Sequence, residues 1–445
     1  MRKQWIFGAT LLAMTALAGA QPRLSVVPGE QMRADLTGSF VERVGNNWRI
    51  VVRCANDNDA PNGVLPSGFR RQWHFRIEGL DPDVQETLNI EITNTEYTES
   101  ILPTWSLDGG ATYERVPVSA QPVFSSGAHR FTLTPPLGQE SIRVSKYYPY
   151  TFRMFEEFQE SIRESGNPHW EERVIGESEE GRPIYLYEFT NRSVPDAGKR
   201  RAWIHSAVHP SENTAFFNCE GLIEWLLSGE LSAERTLENL IITVVPMANP
   251  DGVWNGNYRT NALSVNIEPE WRSPYQQTVA EIVALRTEIE RIQGTPENPG
   301  ETPIELLLNL HATHGLSRPF HFVHTGNYFS NGTGVTPEVR ALELKWVGHF
   351  RARNAFVNRG NDQSSGLSGR PFVESMMHDR YTLNPQWPPV MAITFEGTYQ
   401  LGPIDGIAST REDYTVMGRD MGLAIADYFD VNLEPDTSAN GWVVQ

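Results

Sequence analysis

Cysteine is scarce in this chain: 445 residues contain two, Cys54 and Cys219. That excludes a disulfide-knit scaffold and leaves room for one intramolecular pairing at most. Cys219 falls inside an apolar helical stretch, so two buried free thiols are expected rather than a bridge, which needs Cα atoms within about 7 Å. Long hydrophobic runs are missing from the interior, which excludes stable membrane insertion of the mature chain. Positive charge is short as well, with 37 Lys and Arg against 55 Asp and Glu and a net charge of −18. Such a surface repels phosphate backbones, and no nucleic-acid partner is expected. No internal repeat occurs, and the only biased segment is the polar tail after Asn432.

What the chain does contain begins at its N-terminus. Arg2 and Lys3 precede an apolar run from Trp5 to Leu17, followed by Ala18-Gly19-Ala20. This pattern predicts a signal peptide over residues 1–20, cleavage before Gln21, and a secreted or periplasmic protein. The remaining length is too great for one ordinary core, so two domains are predicted. Segments such as WRIVVR, WHFRIEGL, TLNIEITN and HRFTLTPP read as short strands with turn residues between them, giving an N-terminal β-sandwich over residues 21–147. After Tyr150 helices alternate with apolar strands, which predicts a mixed, mostly parallel α/β sheet flanked by helices over residues 148–432, with a tail at 433–445. TFRMFEEFQESIRES reads as the first helix, RVIGE and PIYLYEF as a hairpin, and RAWIHSAV, LIITVVP, ELLLNLH and VMAITFE as buried strands. Further helices are expected at 278–293, 337–357 and 414–429.

Four chemistry-bearing residues stand at the ends of those strands or just beyond them. His209 and Glu212, three apart in HPSE at a helix start, can take one cation together, and His311 in LNLHATHG completes a three-ligand set with an open position for water. Glu396, in ITFEG, is a carboxylate able to take that water's proton. His314 is a rival to His311, and His205 lies on a strand, where it reads as core or as support for the site. Open α/β sheets place their sites just outside the carboxyl ends of their strands.

From about Tyr147 to Phe429 the chain resembles the zinc metallocarboxypeptidase family, within it the cytosolic-carboxypeptidase-like branch that carries an N-terminal β-sandwich. The resemblance rests on YYPYTFRMFEEF, SAVHPSENTAFF and MANPDGVWNGNYRTN, in that order along the chain. It implies a zinc cofactor held by His209, Glu212 and His311, with Glu396 as general base and Arg259 as the residue that stabilises the developing oxyanion. A peptide or peptide-like amide is the substrate it implies, cleaved without a covalent intermediate.

One segment departs from the family. An Asp-Leu-Asn-Arg-like run, whose Asn-Arg pair grips the substrate's terminal carboxylate, is replaced here by Asn266-Ile267-Glu268-Pro269-Glu270-Trp271. A glutamate about 4 Å from a substrate carboxylate, at an effective dielectric near 20, would repel it by roughly 4 kcal/mol. Ala207 also stands where the related branch commonly has an arginine. The expected outcome is a hydrolase with intact zinc chemistry and altered recognition of the C-terminal carboxylate, in which Glu268, Arg272 and Arg370 face the substrate; either arginine can replace the clamp from another direction. Two other readings remain: a deacylase or amidase of a small N-acyl substrate on the same scaffold, and a non-catalytic binding protein with a retained metal site.

Overall fold

The computed structural model describes residues 21–57, 65–313, 316–324, 334–367 and 369–431. Its N-terminal region is strand-rich. Two five-stranded sheets, one built on strands His74–Glu78 and Ser141–Ser145 and the other on Asn47–Arg53, Leu88–Thr93 and Ala128–Leu133, face each other. Alternation decides which side chains meet: along Leu88–Thr93 every second residue is buried. Trp48, Ile50, Phe75, Ile90, Phe131 and Val144 share the resulting core, which runs on to include Ala312 of the following sheet and Tyr399 just beyond one of its strands. The sandwich and the α/β layer are therefore joined by one apolar seam.

The second sheet has eight strands, in the order Trp170–Glu177, Pro183–Phe189, Leu240–Val245, Arg200–Ser206, Ile304–Ala312, Met391–Gly397, Phe320–His324 and Gln363–Ser365. The four central strands are parallel, with antiparallel partners on both sides. Their near-continuous apolar sequences match burial on both faces. Helices Asn213–Leu226, Pro337–Arg353 and Arg411–Tyr428 cover one face, and Ala280–Gln293 with Val373–Met377 the other. The first and third of these cross closely: a Cβ at Gly221 would overlap the Thr415 carbonyl, and one at Gly418 the Asn218 carbonyl.

The expected helix over 337–357 is broken. It ends at Arg353, and Asn354 accepts hydrogen bonds from the backbone N–H groups of Phe356 and Val357 to start a separate turn, Ala355–Asn358. An asparagine side chain satisfies a helix start better than a helix interior. The last helix begins three residues earlier than its apolar pattern suggests, because Thr410 and Asp413 close a capping box. Both cysteines are buried and unpaired, and burial pushes each thiol up to about 12. Among the described residues no helix is long and apolar enough to cross a membrane. His314 and the polar tail lie outside the described residues.

Candidate metal centre

Strand Arg200–Ser206 lies between Leu240–Val245, which follows it in the chain, and Ile304–Ala312, which comes later. The chain thus reverses its direction of sheet growth beside this strand, and the carboxyl ends around it form a switch-point crevice. Ala207 leaves the strand with φ +61°, a left-handed conformation costly for a residue with a Cβ. It is buried, and the turn it makes delivers His209 and Glu212 over the crevice.

Glu212 occupies the cap position of helix Asn213–Leu226 but makes no side-chain cap bond. Its carboxylate is turned to the histidines: Oε1 lies 2.9 Å from His209 Nδ1, and Oε2 lies 2.7 Å from His311 Nδ1 and accepts from Ala312 N at 3.1 Å. The two Nδ1 atoms are 3.0 Å apart. One ligand atom from each of the three side chains falls within 4.8 Å of the others, and all three residues are buried. His311 is paired in register with Glu396 on the neighbouring strand.

The outer ring nitrogens are also engaged. His209 Nε2 is 3.1 Å from Asn266 Oδ1, an oxygen that accepts from Glu268 N as well, so the imidazole donates there. His311 Nε2 is 3.2 Å from Glu268 Oε2. His209 Nε2 thus has an acceptor, His311 Nε2 faces Glu268 at ion-pair distance without hydrogen-bond geometry, and the two Nδ1 atoms that now meet Glu212 are the ones a bound cation would engage. Asn309 Nδ2 donates to Glu268 Oε1 at 3.1 Å and to Thr394 Oγ1 at 3.2 Å, extending this support beneath the site.

Charge is unbalanced here. Glu212 and Glu268 are buried and Glu396 is half-buried, and Arg259 is the nearby cation whose charge acts on Glu212 and Glu396. Burial, followed by Glu212, pushes the Glu396 carboxyl up to about 8, against the pull of His311 and Arg259. Burial alone would lower His311, but the Glu212 and Glu268 carboxylates outweigh it and raise it well above the ordinary range. Glu396 Oε2 and Glu268 Oε2 find no hydrogen-bond partner among the described residues. Two imidazoles and a carboxylate, with a surplus of buried negative charge around them, fit a divalent zinc ion.

Of the other residues singled out in the sequence, Arg259 follows helix Pro250–Asn255 on a loop beside Glu212. Glu268 opens a short turn, Glu268–Glu270, and points to His311. Arg272 Nη1 is 2.5 Å from Asp379 Oδ2, and that oxygen also accepts from Gly369 N. Arg370 is exposed on the same loop. His205 accepts from Trp203 Nε1 at 3.0 Å and lies against Trp271, with burial pushing it down to about 3. Sequence reasoning gives no role to Asn266, which meets His209, or to Asn309, which supports Glu268. The motif order around Glu268 is the signal that bears on Asn266, and the strand alternation before His311 bears on Asn309.

Residues 164–277 match the zinc carboxypeptidase family. Cytosolic carboxypeptidase 6 of Mus musculus is 22% identical over 441 residues, covering 94% of this chain and 78% of its own length. Its Homo sapiens counterpart is 22% identical over 384 residues, covering 82% and 72%. The metallo-carboxypeptidase structure from Burkholderia cenocepacia superposes with a TM-score of 0.73 at 20% identity over 92% of this chain and 99% of that one. The metallo-carboxypeptidase from Pseudomonas aeruginosa, solved with (2-guanidinoethylmercapto)succinic acid, gives 0.72 at 22% identity over 92% and 99%. The fold is that of the metallocarboxypeptidases. Over residues 164–277 the chain is similar to the zinc carboxypeptidases, and over most of its length it is similar to cytosolic carboxypeptidase 6.

These relatives correct one expectation. The reading of residues 1–20 as a signal peptide, and of the protein as secreted or periplasmic, is overturned by relatives named as cytosolic proteins, which point to the cytosol. The basis for export is a basic start, an apolar run and the small residues Ala18-Gly19-Ala20, all within residues 1–20, which lie outside the described residues.

Proposed function

We propose that this protein is a zinc-dependent peptidase of carboxypeptidase type that hydrolyses a peptide or peptide-like amide, with recognition shifted away from a free C-terminal carboxylate. The observation that carries the reading is the convergence of His209, Glu212 and His311 within 4.8 Å beside Glu396. Zinc held by those three residues would act as a Lewis acid and bring the pKa of a bound water toward about 7. Glu396 serves as the proton acceptor for the attacking water, and then returns that proton to the leaving amine. In the metal-free protein the carboxyl is held high, and the charge of a bound cation would bring it down to where it is free to accept a proton. Arg259 presents a fixed guanidinium to the oxyanion, a contribution worth a few kcal/mol in a dry site, roughly 3.

The altered recognition rests on the segment after Arg259. Glu268 and Pro269 stand where the clamp pair is expected, Glu268 is buried with Oε1 bonded to Asn309 and Oε2 facing His311, and Arg272 is paired with Asp379. A negatively charged substrate terminus approaching Glu268 would meet repulsion instead of a bidentate grip. Substrates with an amine or an internal amide at that point suit the site better.

Zinc-loaded protein should be assayed on two N-acetylated tripeptides of one sequence, one with a free C-terminus and one amidated, beside an N-acetylated single amino acid. The amidated tripeptide is expected to be cut at least as fast as the free acid. A preference for the free acid beyond about tenfold, equal to 1.4 kcal/mol, defeats the recognition claim. Equal turnover of the single amino acid would instead make the protein a deacylase.

A further inference from the structure

Three buried or half-buried polar side chains from the N-terminal region cross the apolar seam, and each ends on a different loop of the candidate site. Gln31 donates through Nε2 to Pro210 O at 2.7 Å, inside the HPSE turn, while its Oε1 accepts from Tyr150 N at 2.9 Å. Arg115 donates to Tyr399 O, just beyond Glu396, and to Ser409 O at 3.3 Å. Tyr399 in turn donates its hydroxyl to Ser211 O at 2.9 Å. Asp57 makes the most specific of the three contacts. Its Oδ1 accepts from Tyr258 N at 2.6 Å, and its Oδ2 accepts from Arg259 N at 2.7 Å and Thr260 N at 2.8 Å.

Burying a carboxylate at 1% exposure is costly unless its lone pairs are filled, and three successive backbone N–H groups fill these. Three successive N–H groups aimed at one anion form a nest, which fixes the backbone dihedrals of the donating residues. The middle donor is the backbone of Arg259 itself. Thr260 then bridges to Asn266, whose Oδ1 holds His209 Nε2. On the far side Asn261 Oδ1 accepts from Leu263 N and Val265 N, while its Nδ2 donates to Glu281, so the loop is pinned from both directions.

We infer that the N-terminal sandwich is a working part of the active site, and that Asp57 is a positioning residue that sets the backbone from which Arg259 reaches the reacting carbonyl. The inference rests on the role proposed for Arg259 and goes beyond it by assigning that role's geometry to a residue some 200 positions earlier in the chain. An aspartate side chain is short, so the reach leaves little freedom in how the sandwich sits over the loop. The sandwich therefore does more than wall the crevice.

The test is a double-mutant cycle on the zinc-loaded full chain, read on whichever of the two tripeptides is turned over. Asp57→Asn keeps shape but offers one carbonyl oxygen to donors that now use two. It should lower kcat by about ten- to a hundredfold with KM within twofold, the range a small misplacement of a reacting group costs. In an Arg259→Ala background the same change should cost less than about twofold, since the group being positioned is already gone. An equal loss in both backgrounds, or a loss carried by KM, overturns the proposal. Amide hydrogen exchange supplies a readout free of turnover: residues 256–262 should exchange at least about tenfold faster in Asp57→Asn while 391–397 stay protected. Unchanged exchange at 256–262, or a rise throughout the molecule, also overturns it. If neither tripeptide is hydrolysed by the unmodified protein, the hydrolase reading falls and the exchange arm still decides what Asp57 does.

Discussion

In the sandwich, His74 and His129 are wholly buried among aromatic rings: His129 lies 5.4 Å from Phe131 and 6.1 Å from Trp73, and His74 meets Tyr113 edge-on at 5.6 Å. Each has a neutral partner, the Tyr113 hydroxyl for His74 and the Ile101 carbonyl for His129. At the carboxyl ends of the second sheet, His209 and His311 are buried just as deeply, but among Glu212, Glu268 and Glu396. Burial pushes the sandwich pair down, to about 3 for His74 and about 4 for His129, while carboxylates drive His311 the other way. Burial alone therefore does not mark a functional histidine. The distinguishing feature is a local surplus of negative charge that the fold does not itself neutralise.

The sharpest way to break that comparison is to remove the proposed proton acceptor while leaving the candidate ligands in place. Glu396→Gln should lower kcat by about a thousandfold and leave zinc stoichiometry unchanged, as expected for loss of a general base alone. Activity assays paired with metal analysis check it. Retained activity would mean that the buried acid surplus serves only to hold a cation.

A smaller effect is expected behind the ligands. Glu268→Gln keeps the side chain's size but removes the charge facing His311 Nε2, and zinc affinity should fall by about 10–100-fold, the usual cost of losing an outer hydrogen-bond partner. Competition with a chromogenic chelator measures it. An unchanged affinity together with an altered preference between the free and amidated tripeptides would return Glu268 to the substrate-facing role that the sequence suggests.

Glu268 also illustrates what a sequence can and cannot disclose. His311 and Glu396 end apolar strands whose pattern is plain, and two strand ends in one parallel sheet must come to the same edge of it. Glu268 sits in a three-residue turn with no periodicity, so its direction depends on how that turn packs on Asn309 and His311. Arg272 could be seen as a spare cation, but its partner Asp379 lies 107 positions away in a segment with no motif. Asp57 is further removed still, since residues 54–57 after strand Asn47–Arg53 carry no chemical signature and gain one only when sandwich and sheet are docked. The architecture is legible because periodicity is local; the supporting contacts are not, because they cross between layers.

The smallest effect tests the neutral histidines. A histidine whose folded pKa lies below its unfolded value near 6.5 leaves the unfolded chain holding more protons as pH falls, so stability declines through the window from about pH 6.5 toward the folded value. For His129, pushed to about 4, the cost at pH 5.5 is ~1.2 kcal/mol relative to neutral pH. The His311 contribution has the opposite sign: in zinc-free protein its raised pKa gives stability that is complete below about 6.5 and lost as pH climbs above it. Whatever residual slope His311 adds as its unfolded form finishes protonating is the same in both proteins and cancels in their comparison. Thermal midpoints of zinc-free protein between pH 6.5 and 5.5 should therefore fall less steeply in His129→Leu than in the unmodified chain, whatever the variant's overall stability. The difference in slope, about 1.4 kcal/mol across the window at most, is the quantity that counts. If the two slopes coincide, His129 is protonated in the folded sandwich, and the contrast between its neutral setting and the charged one around His311 fails.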